Sequence, residues 1–188
     1  MAAACLHAYL AIDRICAELG QWRCGTPGRR WWPGMVSPSE WKAGAVQQPG
    51  PQRPSWCYGT PGLARAQQLA ALALGDRRRQ HKAESALAGC LVDEKQLAQL
   101  GDAGVCHGWA GLVQTTRRAA ADAGPDSALA ASLPALHTRF EQHLHRVTQA
   151  TDDTGRPPGS TNRRRAAHPP VGKIKEATTE TLSQRQAG

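Results

Sequence analysis

The chain has 188 residues, a formal net charge of +8 and nine aromatic residues, six of them Trp. That length supports one domain with a real core, and the charge does not mark a nucleic-acid binder: the last 38 residues supply +3, and the one dense basic run, Arg77-Arg78-Arg79, has no aromatic stacking platforms interleaved with it. No stretch approaches the roughly 18 apolar residues of a membrane span, and the Ala-rich start lacks a basic n-region and is interrupted by Asp13, Arg14 and Glu18, so it is not a secretory signal.

Residues 4–20 read as a helix, with Cys5, Tyr9, Ile12, Cys16 and Leu19 recurring at helical steps on one face and Gly20 near its end. Residues 21–56 are dense in Pro and Gly, which forbids long helices. Five Trp fall there (Trp22, Trp31, Trp32, Trp41 and Trp56), so the segment reads as an ordered loop that packs over something and walls a cleft. Helices are predicted over 62–75, over 77–99 with Leu87, Cys90, Leu91, Leu97 and Ala98 on one face, and over 109–123. A last one is predicted over 126–148 with the stripe Leu129, Leu133, Leu136, Phe140, Leu144 and Val147. Pro134 is expected to kink this helix or to start its second part. His137, His143 and His145 fall off the stripe and are expected to face solvent. The segment 151–188 is polar and Pro-rich and predicts a disordered tail, with room for a short helix over 173–184. No alternation of β-branched residues suggests a sheet, so the fold class is all-α.

Six Cys are present: Cys5, Cys16, Cys24, Cys57, Cys90 and Cys106. The chain is too long and too helical for a disulfide-stapled secreted module, which predicts a reducing cytoplasm where Cys serves as metal ligand, catalyst or core residue. Core packing is the expected role of Cys5, Cys16 and Cys90.

One internal repeat stands out. Trp56-Cys57-Tyr58-Gly59-Thr60-Pro61-Gly62-Leu63-Ala64 aligns without gaps to Val105-Cys106-His107-Gly108-Trp109-Ala110-Gly111-Leu112-Val113, sharing C-x-G-x-x-G-L at an offset of 49. Each copy opens a predicted helix that a second helix follows, so the unit is a helix pair that must stack on a neighbour. Glycine lets the backbone turn sharply at such a junction. A helix start presents unpaired N–H groups and partial positive charge, which favours a thiolate. Stacking would bring Cys57 and Cys106 together, with His107 as a third soft donor. Two thiolates and one imidazole suit zinc with an open fourth position, the pattern of a catalytic site. At this point the alternative also stands that the three side chains merely fill the core.

SWCYGTPGLARA and VCHGWAGLV resemble the two zinc-binding motifs of lanthionine synthetase C-like proteins, the lanthipeptide cyclases, and the resemblance runs over roughly residues 10–148, including RWWPG at 30–34. The resemblance implies Zn2+ held by Cys57, Cys106 and His107. It implies an α/α toroid in which 62–75 and 109–123 are inner helices and 4–20, 77–99 and 126–148 outer ones. Residues 1–150 would form a partial domain of about two and a half of the family's seven helix pairs, with 151–188 as its tail. The implied activity is zinc-dependent addition of peptide Cys thiolates to dehydroalanine or dehydrobutyrine, giving the thioether rings of lantibiotics. Dehydrated precursor peptide is the implied substrate, and a lanthipeptide dehydratase a further partner.

The family also uses a His in an upstream His-Gly motif and an upstream Asp as acid/base groups. No His-Gly precedes Cys57 here, and His7 is followed by Ala8, so no catalytic acid/base residue is assigned. That departure suggests a C-terminal piece of a cyclase, and keeps two further readings: an inactive zinc-binding remnant that binds peptide, and a thiol- or glutathione-binding relative. An open ring of this kind is expected to expose apolar faces on 4–20 and on the inner helices and to self-associate.

Overall fold

Glycine and aspartate punctuation sets most of the helix boundaries. In the computed structural model, which describes residues 2–154 and the side chains of 7–149, the helices are α1 (Ala2–Gln21), α2 (Pro38–Ala43), α3 (Thr60–Leu74), α4 (Arg77–Leu91), α5 (Glu94–Leu97), α6 (Trp109–Ala123) and α7 (Ala128–Thr154). The described residues contain no strand, only an isolated bridge between Cys24 and Trp31, so they are all-α as predicted. α3 ends on Gly75, whose φ of 67° lets its N–H return to the Ala71 and Leu72 carbonyls. Asp76 then caps α4 by accepting from the Arg79 N–H at 2.9 Å. The expected tail lies outside the described residues, except for 151–154, which continue α7.

The helix predicted over 77–99 is two helices. Asp93 accepts from the N–H groups of Lys95 and Gln96 and so starts α5, and a side chain used as a cap cannot also continue the helix before it. Leu87, Cys90, Leu91 and Leu97 are buried as expected, but the break turns Ala98 outward and buries Leu100 instead. α7 runs unbroken through Pro134, although the ring leaves the Ala130 carbonyl without its helical donor. Its buried stripe also differs from the predicted one. Leu144 is exposed, while His143 is 8 % exposed and packs 6.2 Å from the Trp109 ring. A step of three from Phe140 reaches His143, which continues the alternating spacing of Leu129, Leu133 and Leu136, and the helix geometry overrides polarity there. His137 and His145 face solvent as expected.

α3 and α4 pack as a hairpin, and α3 also lies against α1 and α6. Ala64, Ala86, Leu87, Leu112, Ala119, Leu129 and Leu136 form one core with Trp32 and Trp109. Gln68, 1 % exposed, ties the layers together: its amide donates to Glu84 on α4 and to the Ala119 carbonyl on α6, and its oxygen accepts from Arg65. These bonds hold α3 and α6 side by side, which is what positions the site.

α1 has α3 as its helix neighbour, so only part of its predicted face is covered. Cys16 is buried, Ile12 and Leu19 are half-buried, and Tyr9, Leu10 and Ile15 are exposed; the side chain of Cys5 lies outside the described residues. Leu69 and Leu72 of α3 are also exposed, so apolar side chains of both α1 and α3 face solvent. In the loop before α3, Trp31 and Trp32 are buried, and the Trp32 ring N–H donates to the Leu19 carbonyl at 2.8 Å. Trp41 and Trp56 are exposed, so the loop buries two of its five Trp fully rather than walling a cleft with all of them.

Candidate metal centre

The repeat read from the sequence recurs in the backbone hydrogen bonds, although Gly59 has φ of 84° and its counterpart Gly108 φ of -118°. The Gly62 N–H donates to the Ser55 carbonyl and the Gly111 N–H to the Gly104 carbonyl, each at 3.3 Å, so donor and acceptor both recur 49 residues on. Leu63 bonds back to Gly59 as Leu112 does to Gly108. A Cβ on Gly62 would collide with the Trp56 carbonyl, and one on Gly111 with the Val105 carbonyl. Each second glycine therefore lets the first helical turn press onto the peptide just before its Cys. Gly59 has φ of 84°, a conformation costly for any residue with a side chain.

Because α3 and α6 are neighbours, the two Cys-bearing turns meet. Cys57 and Cys106 have Cα atoms 5.9 Å apart and are joined in a disulfide. The ligand atoms of Cys57, Cys106 and His107 all lie within 4.8 Å of one another, with both Cys exposed and His107 half-buried. The three predicted ligands are thus brought together, but the sulfurs are bonded to each other where two thiolates are expected. The two states exclude each other. A zinc ion bonded to both sulfurs at about 2.3 Å would hold them about 3.8 Å apart, a change that side-chain rotation can accommodate at these exposed turns. The donor set, two sulfurs and an imidazole with one side open to solvent, fits zinc.

Three neighbours were not singled out from the sequence. Ser55, 1 % exposed, donates from Oγ to the Cys106 carbonyl at 2.8 Å and lies 3.2 Å from His107 Nδ1. Tyr58 tilts against the His107 ring with centroids 5.3 Å apart. Arg53 donates from Nη2 to Tyr58 Oη at 2.6 Å. One signal was available for Tyr58: it occupies in the first copy of the repeat the position His107 holds in the second.

The remaining described thiols stand apart from this cluster. Cys16 and Cys90 are buried and Cys24 half-buried, all three free. Burial pushes the Cys90 thiol up to about 12, which keeps it a neutral core side chain at physiological pH. Cys16 and Cys24 are raised for the same reason.

The model of the family of lanthionine synthetase C-like proteins matches residues 11–161. The chain belongs to this family. The match takes in α1 from residue 11 and both Cys-bearing turns, and it reaches past residue 150, where the polar tail was expected to begin. No curated protein matches the chain. Within this lanthionine synthetase C-like chain, Cys57, Cys106 and His107 form a group that could hold a metal ion, and no helix of the described residues is long and apolar enough to cross a membrane.

The loop carrying RWWPG braces the site from one side. A Cβ on Gly34 would press on Gln52 and on the Tyr58 ring, and Gln52 in turn donates to Gln48. Glu40 pins this loop by accepting from the Ser37 N–H, the Ser37 hydroxyl and the Gln47 N–H at 2.9, 2.8 and 2.7 Å. The Ser37 and Gln47 backbone bonds, with the Ser37 hydroxyl, hold its carboxyl down from 4.5 to about 2. A carboxyl depressed on folding stabilises above its unfolded pKa and loses that contribution as pH falls toward the folded one. In metal-free protein the stacked pair Trp22 and Trp41, 5.4 Å apart, should therefore change fluorescence as pH falls from about 4.5 toward 2. Glu40→Gln should show the loosened signal already at neutral pH. A wild-type signal flat across that window would show that Glu40 does not hold the loop.

Proposed function

We propose that this chain carries the zinc site of a lanthionine cyclase, within a domain spanning residues 1–150, and acts in adding peptide Cys thiolates to dehydroalanine or dehydrobutyrine. The observation that carries the reading is the meeting of Cys57, Cys106 and His107 at two adjacent helix mouths, exposed on one side. Those three residues would hold the ion and leave a fourth position for the peptide thiol. Zinc bound there lowers the pKa of that thiol and keeps it anionic at neutral pH.

The chain's own groups then orient the reaction. The attacking sulfur forms a bond to the β-carbon of the dehydro residue, the double-bond pair moves toward the neighbouring carbonyl oxygen, and the α-carbon takes up a proton to leave a thioether. Tyr58 stands beside the ligand His107. Because Arg53 donates to its Oη, the phenolic hydrogen is free to meet an oxygen of a bound peptide. No residue is assigned as the acid that delivers the proton to carbon. Cytoplasmic peptide processing, with a dehydratase acting first, follows from the same reading.

One observation favours a second reading for the chain by itself. The Cys57, Cys106 and His107 group is open to solvent on one side, which equally suits a zinc-binding module that captures peptide or thiol without closing rings. Ring closure leaves the peptide mass unchanged, so the test is thiol alkylation after incubating reduced, zinc-loaded protein with a dehydrated precursor peptide. Cyclisation predicts one fewer alkylated thiol per ring. A full count of alkylated thiols would reject cyclisation by this chain, and zinc-dependent retention of the peptide would then support the second reading.

A further inference from the structure

Ser55 has one hydroxyl proton, and its two contacts compete for it. A carbonyl oxygen can only accept, so the 2.8 Å contact from Ser55 Oγ to the Cys106 carbonyl takes that proton. The second contact of the same oxygen, 3.2 Å to His107 Nδ1, must then run the other way, with Nδ1–H donating to Oγ. A neutral imidazole carrying its proton on Nδ1 keeps its lone pair on Nε2. A metal on Nδ1 would have to displace Ser55 from that position.

We infer that Ser55 is a positioning residue of the metal centre: it holds His107 as the Nδ1–H tautomer, so that Nε2 is the ligating nitrogen, and fixes the peptide between Cys106 and His107. This rests on the metal reading above. The position of Ser55 suits the role. It precedes Cys57 by two residues, its carbonyl accepts the Gly62 N–H that shapes the first turn, and its hydroxyl reaches residues 51 and 52 positions away in the second turn. One buried side chain thereby sets the first Cys-bearing turn against the second. Outer partners of this kind fix the ring orientation of metal-bound His, and their removal weakens metal binding about 10–100-fold.

The test uses the reduced full-length chain labelled with 15N. Long-range 1H–15N correlations of the His107 ring are recorded without metal, at a pH where the ring is neutral, and again with zinc. The expected result is a proton on Nδ1 in both states and a zinc-induced shift confined to Nε2. Competition with a chromophoric chelator should show Ser55→Ala binding zinc about 10–100-fold more weakly, with its metal-free ring divided between the two tautomers. A general loss of packing would not produce that tautomer change. Zinc on Nδ1 in the wild type, or unchanged affinity and tautomer in Ser55→Ala, would overturn the inference. The wild-type spectrum decides the tautomer even if the variant folds poorly. Wild-type protein that takes no zinc would instead overturn the metal reading, which separates the two failures.

Discussion

Cys106→Ala, and equally Cys57→Ala, should leave a folded chain that no longer retains zinc. Both side chains are exposed, so truncation removes little buried surface. The loss falls on the metal: two donors remain, which is too few for stable binding in water. Zinc sites with four protein ligands gain about 10–16 kcal/mol, or roughly 2.5–4 kcal/mol per ligand, a factor on the order of 10²–10³ in affinity. Metal analysis after dialysis should fall from about one zinc per chain to under about a tenth. Cys90→Ala is the control, because Cys90 is 1 % exposed in the core and donates to Gln96. It should lower stability and leave the zinc content intact. Oxidation should imitate the ligand variants, since a cystine has no thiolate to offer. Zinc retained at full stoichiometry by Cys106→Ala would remove it from the ligand set.

Gly111→Ala should be among the most destabilising substitutions in the protein. Position 111 lies in the first turn of α6, where alanine would ordinarily gain about 0.5–1 kcal/mol over glycine. Here the new Cβ would fall against the carbonyl oxygen and carbon of Val105, which are backbone and cannot swing away. Relieving the clash means pulling α6 off the Cys106 turn, and a loss above about 4 kcal/mol is expected, together with loss of zinc. Gly20→Ala supplies the contrast. Gly20 is in α1 with nothing within 4 Å of its Cβ position, so that change should be neutral or stabilise by about 0.5–1 kcal/mol. Denaturant melts of the two variants settle the matter. A Gly111→Ala protein as stable as wild type would show that the turn is not packed this tightly.

Much of this was legible in the sequence because its signals are local or repeated. Periodicity and capping residues located α1, α3 and α6 to within two residues, and the C-x-G-x-x-G-L repeat implied that Cys57 and Cys106 would meet. Other features lay outside such patterns. Asp93 splits the predicted 77–99 helix, but a capping Asp looks like any polar residue on a wet face until its bonds are seen. A hydrophobic stripe selects by side-chain polarity and so assigns His143 to the surface, whereas the helix turns by geometry and buries it. In the Pro-rich loop no period distinguishes buried Trp32 from exposed Trp41. Ser55, Arg53 and Tyr58 depend on contacts that only the stacking of α3 on α6 creates, so their roles had no local signature.

Cys57, Cys106 and His107 would hold a zinc ion by two sulfurs and one imidazole with a fourth position open. X-ray absorption at the zinc edge of reduced, zinc-loaded protein tests it most directly. Two sulfurs at about 2.3 Å and two nitrogen or oxygen scatterers at about 2.0–2.1 Å are expected, with the sulfur signal lost in the Cys57→Ala and Cys106→Ala double variant. A zinc shell without sulfur, or reduced and folded protein that takes up no zinc at all, would contradict it.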